Sequence, residues 1–189
     1  MARWEPNASR RLAEAALELF AERGYDDTTV LDIAQRAGLA KSTFFRHFQN
    51  KREVLFGEDA LTEQLVTAIS EAPAEATPLE AVARGFDALS RNVFTHALRA
   101  FSARRRAVIE AHPDLQEREA LKGISLTASV ARALAARGTP TLSARVAAEL
   151  STLALKVTYE RWSDMDNTDE YGDLARRILS EVQAAVPDV

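Results

Sequence analysis

The sequence predicts an all-α fold of about nine helices, on three observations. Alanine, leucine, glutamate and arginine, which favour helices, prevail along the 189 residues. Runs of valine, isoleucine and threonine with the period of two that is typical of strands are missing. Capping residues, glycines and prolines divide the chain into segments of helical length.

The amino-terminal part of the chain predicts three short helices and the beginning of a fourth. The first helix ends at Gly24, because glycine readily takes the positive φ of a helix terminus. The second begins at a capping box between Thr29 and Asp32, and a similar box from Asn50 to Glu53 opens the fourth. The four predicted ranges are 9–23, 29–37, 41–48 and 50–70.

A polar, proline-containing break at residues 71–78 precedes the other five helices. Thr77, Pro78 and Glu80 supply an N-cap, a proline at the first helical position and an acid at the third, which together favour a helix start. The five predicted ranges are 78–94, 97–110, 113–137, 142–163 and 170–186.

Composition excludes several classes of protein. The shares of hydrophobic residues, 47%, and charged residues, 28%, are those of a globular protein and exclude extensive disorder. The absence of cysteine excludes disulfides, a thiol nucleophile and a Cys-ligated zinc site. No apolar run is long enough for a membrane span or a signal peptide. We therefore expect a soluble, cytoplasmic protein, with residues 1–56 as one domain and residues 57–189 as a second.

Charge is distributed unevenly along the chain. The net charge is −4, so the whole protein is not a simple polycation. Residues 1–56 nevertheless carry a net charge of +1, and the segment from Arg36 to Arg52 holds five basic residues and no acidic one. This phenylalanine-rich basic block indicates a surface that meets a polyanion; an ordinary solvated face is the alternative.

The second and third helices, with their glycine-containing connection, fit a helix-turn-helix unit that the first helix would brace. In such a unit the second member lies in the major groove of DNA, with its first residues toward the base edges. The residues at the base edges are then Ala40, Lys41, Ser42 and Thr43, and Arg46 and His47 lie one turn further along the same helix.

Three further residues of this unit are placed for phosphate contacts. Lys51 lies in the first turn of the fourth predicted helix, and Thr28 and Thr29 offer hydroxyls at the start of the second. The apolar residues of the unit, which we assign to its core rather than to base stacking, are Leu39, Phe44 and Phe48.

A set of spaced residues then identifies the unit further; its members are Phe20, Gly24, Thr28, Thr29, Ile33, Ala34, Gly38, Thr43, His47, Phe48 and Lys51. In this pattern, residues 9–56 resemble the DNA-binding domain of the TetR family of transcriptional regulators. The resemblance implies an all-helical homodimer that binds a palindromic DNA operator, usually to repress. It also implies a divergent carboxy-terminal domain that binds a small effector and is thereby released from DNA.

The recognition helix departs from the family pattern at one point. The family often has two tyrosines there, one of which commonly bonds a phosphate, whereas this chain has Phe45 and Arg46. Phe45 has no hydroxyl, so that hydrogen bond is lost, and Arg46 offers a charged contact in its place. At the amino terminus, Arg3 belongs either to an arm that reaches a groove or phosphate, or to an untethered tail.

The last two helices carry more apolar surface than one core requires. In the eighth, a second stripe of Leu155, Tyr159 and Trp162 runs beside the first. A second stripe needs another partner, so we predict a homodimer closed by a four-helix bundle; burial of both stripes within one subunit is the alternative. The predicted interface residues are Val146, Leu150, Leu153, Val157, Leu174, Ile178 and Val182.

The second domain has enough apolar residues for a cavity that binds a small effector. The segment from Thr43 to Arg46 and the alanine-rich second half are similar to the branch of the family that senses fatty-acyl thioesters, so the effector is an unidentified apolar molecule or an acyl thioester. A filled core is the alternative, and the cationic run 104–106 meets either an anionic effector or solvent. The predicted lining residues are Phe86, Leu89, Phe94, Leu98, Phe101, Leu126, Val130 and Trp162.

No motif supports an enzyme. The histidines His47, His96 and His112 lack the spacing of metal ligands, and phosphate-binding loops and nucleophile motifs are absent from the sequence. We predict no catalytic residue, metal or cofactor. The alternatives to a repressor are a DNA-binding activator, a regulator without an effector and a helical protein-interaction module.

Overall fold

A computed structural model describes residues 7–57 and 60–185, and within these ranges it contains nine α-helices, two short 3₁₀ segments and no strand. The predicted all-α fold is confirmed. The 3₁₀ segments are Arg52–Leu55 and His96–Leu98. The α-helices are α1 (Ala8–Arg23), α2 (Val30–Arg36), α3 (Lys41–His47), α4 (Ala60–Ser70), α5 (Pro78–Asn92), α6 (Arg99–Glu110), α7 (Pro113–Ala136), α8 (Thr141–Trp162) and α9 (Tyr171–Ala185).

The chain forms two compact units. Of the described residues, the first contains 7–57 and 104–116, and the second contains 60–103 and 117–185. The segment 104–116, which the sequence analysis placed in the second domain, thus packs with the first. It supplies the fully buried side chains of Ile109 and Leu115.

In the first unit, α1, α2 and α3 bury one apolar face each. Leu12 and Ala16 of α1, Ile33 of α2 and Phe44 of α3 are all fully buried. The predicted capping box at the start of α2 is present, with the Asp32 amide donating to Thr29 Oγ1 at 3.2 Å. These local interactions hold α2 and α3 as a helix-turn-helix pair on α1.

The fourth predicted helix does not form as one element from residue 50. Glu53 N donates to Asn50 Oδ1 at 3.2 Å, as the predicted cap requires, but the segment that follows is the 3₁₀ turn Arg52–Leu55. Gly57 has a φ of +59°, which a right-handed helix cannot accommodate, and α4 begins only at Ala60. The start predicted at residue 97 is likewise a 3₁₀ turn, ahead of α6.

The second unit is built around one hydrophobic core from α4, α5, α7, α8 and α9. The predicted cap at Thr77 and Glu80 is present and opens α5. Helices α4 and α5 approach so closely at Gly85 that a Cβ there would clash with Leu65 Cδ1. In the described ranges, no helix combines the length and the apolar composition that a bilayer crossing needs.

Candidate nucleic-acid interface

Helix α3 separates an apolar face from a polar one. Phe44 and Phe48 are buried, with their ring centroids 5.5 Å apart, and they fix the helix on the first unit's core. The sequence interpretation of these two phenylalanines as core is confirmed, and Leu39 is half-buried. The opposite face of α3 carries the exposed side chains of Lys41, Ser42, Phe45 and Arg46.

The predicted base-contact residues therefore lie on the accessible side of one helix. Thr43 and His47 are half-buried at the edge of this face. Phe45 is 50% exposed although it is aromatic, and Lys41 Nζ lies 5.9 Å from its ring centroid. A protruding apolar ring with a cation over it matches a surface that contacts the edges of bases, where thymine presents a methyl group.

The structure distributes the five cations of the basic block unequally. Arg36 is paired with acids of α1, since its guanidinium lies 2.6 Å from Glu22 Oε2 and 3.3 Å from Glu18 Oε2. The hydrogen bond from Arg36 lowers the pKa of Glu22. Arg52 lies 3.7 Å from Glu53. The positive charge of Arg36 and Arg52 is therefore largely compensated within the protein.

Lys41 and Arg46 differ from these residues. Both are exposed, and neither has a carboxylate partner among the residues that the structure describes. The uncompensated charge of the basic block is thus concentrated on α3, where it is available to the phosphates of a nucleic acid.

Lys51 has an internal role that the sequence analysis did not find. Its ammonium donates to the carbonyl oxygens of Tyr25 at 2.5 Å and Asp26 at 3.2 Å, and it lies 4.2 Å from the Tyr25 ring centroid. It thereby ties the loop between α1 and α2 to the start of the first 3₁₀ turn. An ammonium has three N–H donors, so one remains for a phosphate, and that contact stays a prediction.

Thr28 does not fit its predicted role. The side chain is 1% exposed, and its hydroxyl donates to the carbonyl oxygen of Gly24 at 2.8 Å. We therefore correct Thr28 from a phosphate contact to a buried hydrogen bond that holds the end of α1 to the start of α2.

Thr29 is exposed but already engaged. Its hydroxyl donates to Asp32 Oδ2 at 2.6 Å and accepts from the Asp32 amide. The hydrogen bonds that the hydroxyl and amide of Thr29 donate to the Asp32 carboxylate lower the pKa of Asp32. The hydroxyl has no second hydrogen to donate to a phosphate. Its role in this structure is to cap α2.

The sequence analysis did not identify two arginines that stabilise the first unit, because the carbonyl groups that they bind are distant in sequence. Arg11 of α1 donates to the carbonyl of Ala37, in the turn between α2 and α3, at 2.5 Å. Arg105 donates to the carbonyl of Leu55 at 2.5 Å and lies 5.3 Å from the Phe56 ring centroid. Arg105, which the sequence assigned to solvent or an effector, is therefore part of the support of the first unit.

The predicted effector residues of the second unit are packed together. Leu98 and Phe101 are half-buried, and the other six lie in the hydrophobic core. This favours the filled-core alternative for most of them. An open surface depression of about 250 Å³ occurs in this unit, lined by Ser90, Glu170, Tyr171, Gly172, Asp173 and Arg176, none of which was predicted.

The structure places the predicted dimer residues in two different environments, partly exposed on α8 and mostly buried on α9. Val146, Leu150 and Val157 of α8 are half-buried, with Val157 packed against the core, and Leu153 is exposed. In contrast, Leu174 and Ile178 of α9 are each 2% exposed and belong to the subunit's own core, and Val182 is half-buried. Leu174 and Ile178 are thus corrected from interface to core. The predicted arm at Arg3 lies outside the described residues.

Comparison with known proteins places this geometry in context. Residues 12–57 match the model of the bacterial regulatory proteins of the tetR family. Over 80 residues the chain is 41% identical to the HTH-type transcriptional regulator TcmR of Streptomyces glaucescens. This aligned stretch covers 42% of this chain and 35% of TcmR. Over 44 residues it is 36% identical to the negative transcriptional regulator IcaR of the biofilm operon of Staphylococcus epidermidis. That stretch covers 23% of this chain and 24% of IcaR.

The chain thus spans about a quarter to a third of the length of these curated relatives. Its whole fold is similar to that of NalD of Pseudomonas aeruginosa, the secondary repressor of the MexAB-OprM multidrug efflux pump. The TM-score is 0.60, with 19% identity over 94% of this chain and 96% of NalD. At this identity the likeness shows a shared fold.

Proposed function

Residues 12–57 carry the DNA-binding domain of the TetR family of transcriptional regulators, and from this premise we propose that the chain binds a specific DNA operator and regulates transcription. The observation that carries the proposal is the exposed face of α3, which holds Lys41, Ser42, Phe45 and Arg46 over a buried phenylalanine base. A helix held in this way enters the major groove with its first turn against the base edges.

The residues of α3 divide between two kinds of contact. Ser42 and Thr43 are short and can hydrogen-bond base edges at close range, and the Phe45 ring can contact a thymine methyl group. Lys41 and Arg46 supply the charge that holds the helix to the backbone, with His47 at the edge of the same face. Specificity then comes from the short polar residues and Phe45, and affinity chiefly from the two cations.

We propose that the protein binds a palindromic operator as a homodimer, which sets two α3 helices about 34–36 Å apart. This is supported by the exposed apolar side chains of α7 and α8, which are here together called the α7/α8 face. Its most exposed members are Leu121, Ile124, Leu142 and Leu153.

The α7/α8 face replaces part of the interface that the sequence predicts. Asp173, Arg176, Arg177 and Glu181 make the outer surface of α9 charged, so that helix offers little apolar area to a partner. On the α7/α8 face, Thr127 Oγ1 and Thr152 Oγ1 are hydrogen-bonded at 2.8 Å and hold the two helices together. A second copy of the chain would bury these helices against their own counterparts in a four-helix bundle.

The direction of control that we propose is repression relieved by an effector in the second unit. Helix α6 links the effector-binding unit to the DNA-binding unit along the chain, because its residues 99–103 belong to the second unit and its residues 104–110 to the first. Coupling energies of about 1–3 kcal/mol would change operator affinity about 5–150-fold.

The proposal is tested with the DNA that lies upstream of the protein's own gene. Fluorescence anisotropy should detect binding whose logarithmic affinity falls linearly with the logarithm of salt concentration, and an unrelated duplex of equal length should bind at least 1,000-fold more weakly. Equal affinity for both duplexes would overturn sequence-specific regulation, and the absence of binding to either would overturn the DNA-binding function.

A further inference from the structure

The first turn of α3, which carries the residues proposed to face the bases, is not anchored by its own side chains. No residue from 38 to 43 is buried, and Ala40, at which the helix starts, forms no side-chain cap. The buried anchors of α3, Phe44 and Phe48, lie further along the helix. Apolar burial is not directional, so these two rings hold the helix on the unit without fixing where its first turn points. That position therefore depends on the chain that enters the helix.

The chain enters α3 from Ala37, and this residue is held by α1. Ala37 is buried, and its carbonyl oxygen accepts a hydrogen bond from Arg11 Nη2 at 2.5 Å. The last carbonyls of a helix have no partner within it, and a cation beside them is also favoured by the helix dipole. The amides of Gly38 and Leu39 donate to carbonyls of α2 itself, so they fold the turn without attaching it to α1. The hydrogen bond from Arg11 makes that attachment.

Gly38 leaves room for the Arg11 guanidinium beside the turn. Its φ of +65° lies in the left-handed region that favours glycine, and a Cβ at this position would lie 3.2 Å from Arg11 Nη2. The guanidinium therefore lies directly against the backbone of the turn. Arg11 itself is exposed, so replacing its side chain leaves no cavity in the core of the first unit.

We propose that Arg11 is a positioning residue for base recognition. By holding the Ala37 carbonyl to α1, it sets the first turn of α3 where Ser42 and Thr43 reach the base edges. The inference rests on the proposed function, in which α3 reads the operator, and it names a specificity determinant that acts without touching DNA. Directional contacts need placement within about 0.5 Å, whereas a cation on a flexible side chain follows a phosphate through a larger shift. Loss of Arg11 therefore reduces operator binding more than nonspecific binding.

The test compares Arg11→Met with Arg10→Met, a matched control at the neighbouring position. Arg10 is exposed and paired with Glu14 at 2.8 Å, so both variants remove one positive charge from α1, and the Arg11 variant also removes the hydrogen bond to the turn. Fluorescence anisotropy measures the affinity of the full chain for its upstream DNA and for an unrelated duplex of equal length, each over a range of salt concentrations. Circular dichroism at the assay temperature checks that each variant is folded.

The expected result is a loss of discrimination. Arg11→Met should bind the upstream DNA about tenfold more weakly than Arg10→Met, which is the size of one lost base contact. The two variants should bind the unrelated duplex within about twofold of each other, with equal salt slopes, because neither loses a phosphate contact. Single-base changes in the bound segment of the upstream DNA should also cost the Arg11 variant less affinity than they cost the unmodified chain. A lower stability alone would not produce this pattern, because it reduces the active fraction equally for every duplex.

A second variant keeps the proposal testable if Arg11→Met fails to fold. Arg11→Gln retains a polar side chain on the exposed surface of α1, but the side chain is shorter and loses the hydrogen bond to Ala37. It should therefore show the same reduced ratio of upstream to unrelated affinity, again relative to Arg10→Met.

The failure of this inference and that of the proposed function are distinguishable. Equal ratios of upstream to unrelated affinity in the Arg11 and Arg10 variants would overturn the inference and leave the proposed function intact. A loss of affinity for both duplexes with a reduced salt slope would make Arg11 a phosphate contact and would overturn the positioning role as well. An unmodified chain that binds neither duplex would overturn the proposed function, and the inference with it.

Discussion

The ammonium of Lys51 lies 2.5 Å from the carbonyl oxygen of Tyr25 and 4.2 Å from the centroid of its ring. One lysine thereby satisfies a carbonyl of the loop between α1 and α2 and covers the ring that the loop buries. The face of Tyr25 is also close to the His112 ring, whose centroid lies 5.0 Å away. Tyr25 thus contacts both Lys51 and the segment 104–116 that the sequence analysis placed in another domain.

The first prediction concerns this clamp. Lys51→Met should lower the free energy of unfolding by about 1–2 kcal/mol, because two carbonyls lose a charged donor. If the third N–H of the ammonium also reaches a phosphate, the slope of log affinity against log salt should fall by about one for each copy of the residue. Urea unfolding and salt-dependent anisotropy measure the two effects separately, and an unchanged slope would leave Lys51 with the clamp alone.

The second prediction concerns the uncompensated charge of α3. Arg46→Met should weaken binding to all DNA sequences to a similar extent and reduce the salt slope by about two in a dimer, because one phosphate contact is lost from each subunit. Arg36→Met is the matched control, since Arg36 is already paired with Glu18 and Glu22. Equal slopes for the Arg46 and Arg36 variants would contradict the division of charge that the structure shows.

The third prediction concerns the corrected role of Thr28. Thr28→Val keeps the shape of the side chain but removes the hydrogen bond to the Gly24 carbonyl, so it should cost about 1 kcal/mol of stability. Operator affinity at a temperature where the variant is folded should stay within twofold of the unmodified chain. A tenfold loss of affinity with unchanged stability would restore Thr28 as a DNA contact.

Interactions close together in sequence were the predictable part of this fold. The capping boxes at Thr29 and Thr77 each link residues three positions apart, so the sequence is enough to find them, and α2 and α5 begin where they indicate. The exposed face of α3 could be predicted for the same reason, because the helical period places Phe44 and Phe45 on different sides of the helix, and Phe44 is buried while Phe45 is exposed. Short-range geometry therefore predicted the helices and which side of α3 is buried.

The other features depend on distant contacts. Nothing local to Arg36 indicates that Glu18 and Glu22 neutralise it, and nothing local to Thr28 indicates that its hydroxyl is buried. The helical period of the apolar residues identifies the apolar stripe of α9. It does not show whether that stripe packs on the subunit's own core or on a second subunit. The same ambiguity left the exposed Leu121 and Ile124 of α7 out of the predicted interface.

The fourth prediction concerns acid stability and the two capping boxes. Hydrogen bonds from the hydroxyl and amide of Thr29 lower the pKa of Asp32, and those from the amide and hydroxyl of Thr77 lower the pKa of Glu80. Because the folded values are lowered, both carboxylates stabilise the fold fully above their ordinary values of 3.8 and 4.5, and this stabilisation is lost as the pH falls through the folded values.

Urea unfolding between pH 7 and pH 3 measures this dependence. Asp32→Asn and Glu80→Gln should each lower stability at pH 7 and reduce the loss of stability on acidification, because the protonatable group is gone. A pH dependence that is the same in both variants and in the unmodified chain would contradict the contribution of these caps.

The fifth prediction concerns the α7/α8 face as a dimer interface. Leu153→Arg should raise the dimer dissociation constant at least 100-fold, because it places an unpaired charge in an apolar contact on both subunits. Ser180→Arg is the matched control, since Ser180 is exposed on the charged outer surface of α9. Sedimentation velocity should then show a monomer for the Leu153 variant and a dimer for the Ser180 variant.

Since a palindromic operator needs two linked α3 helices, the Leu153 variant should also lose operator affinity while its helix content remains unchanged. The opposite pattern, with the Ser180 variant monomeric and the Leu153 variant dimeric, would move the interface to α9.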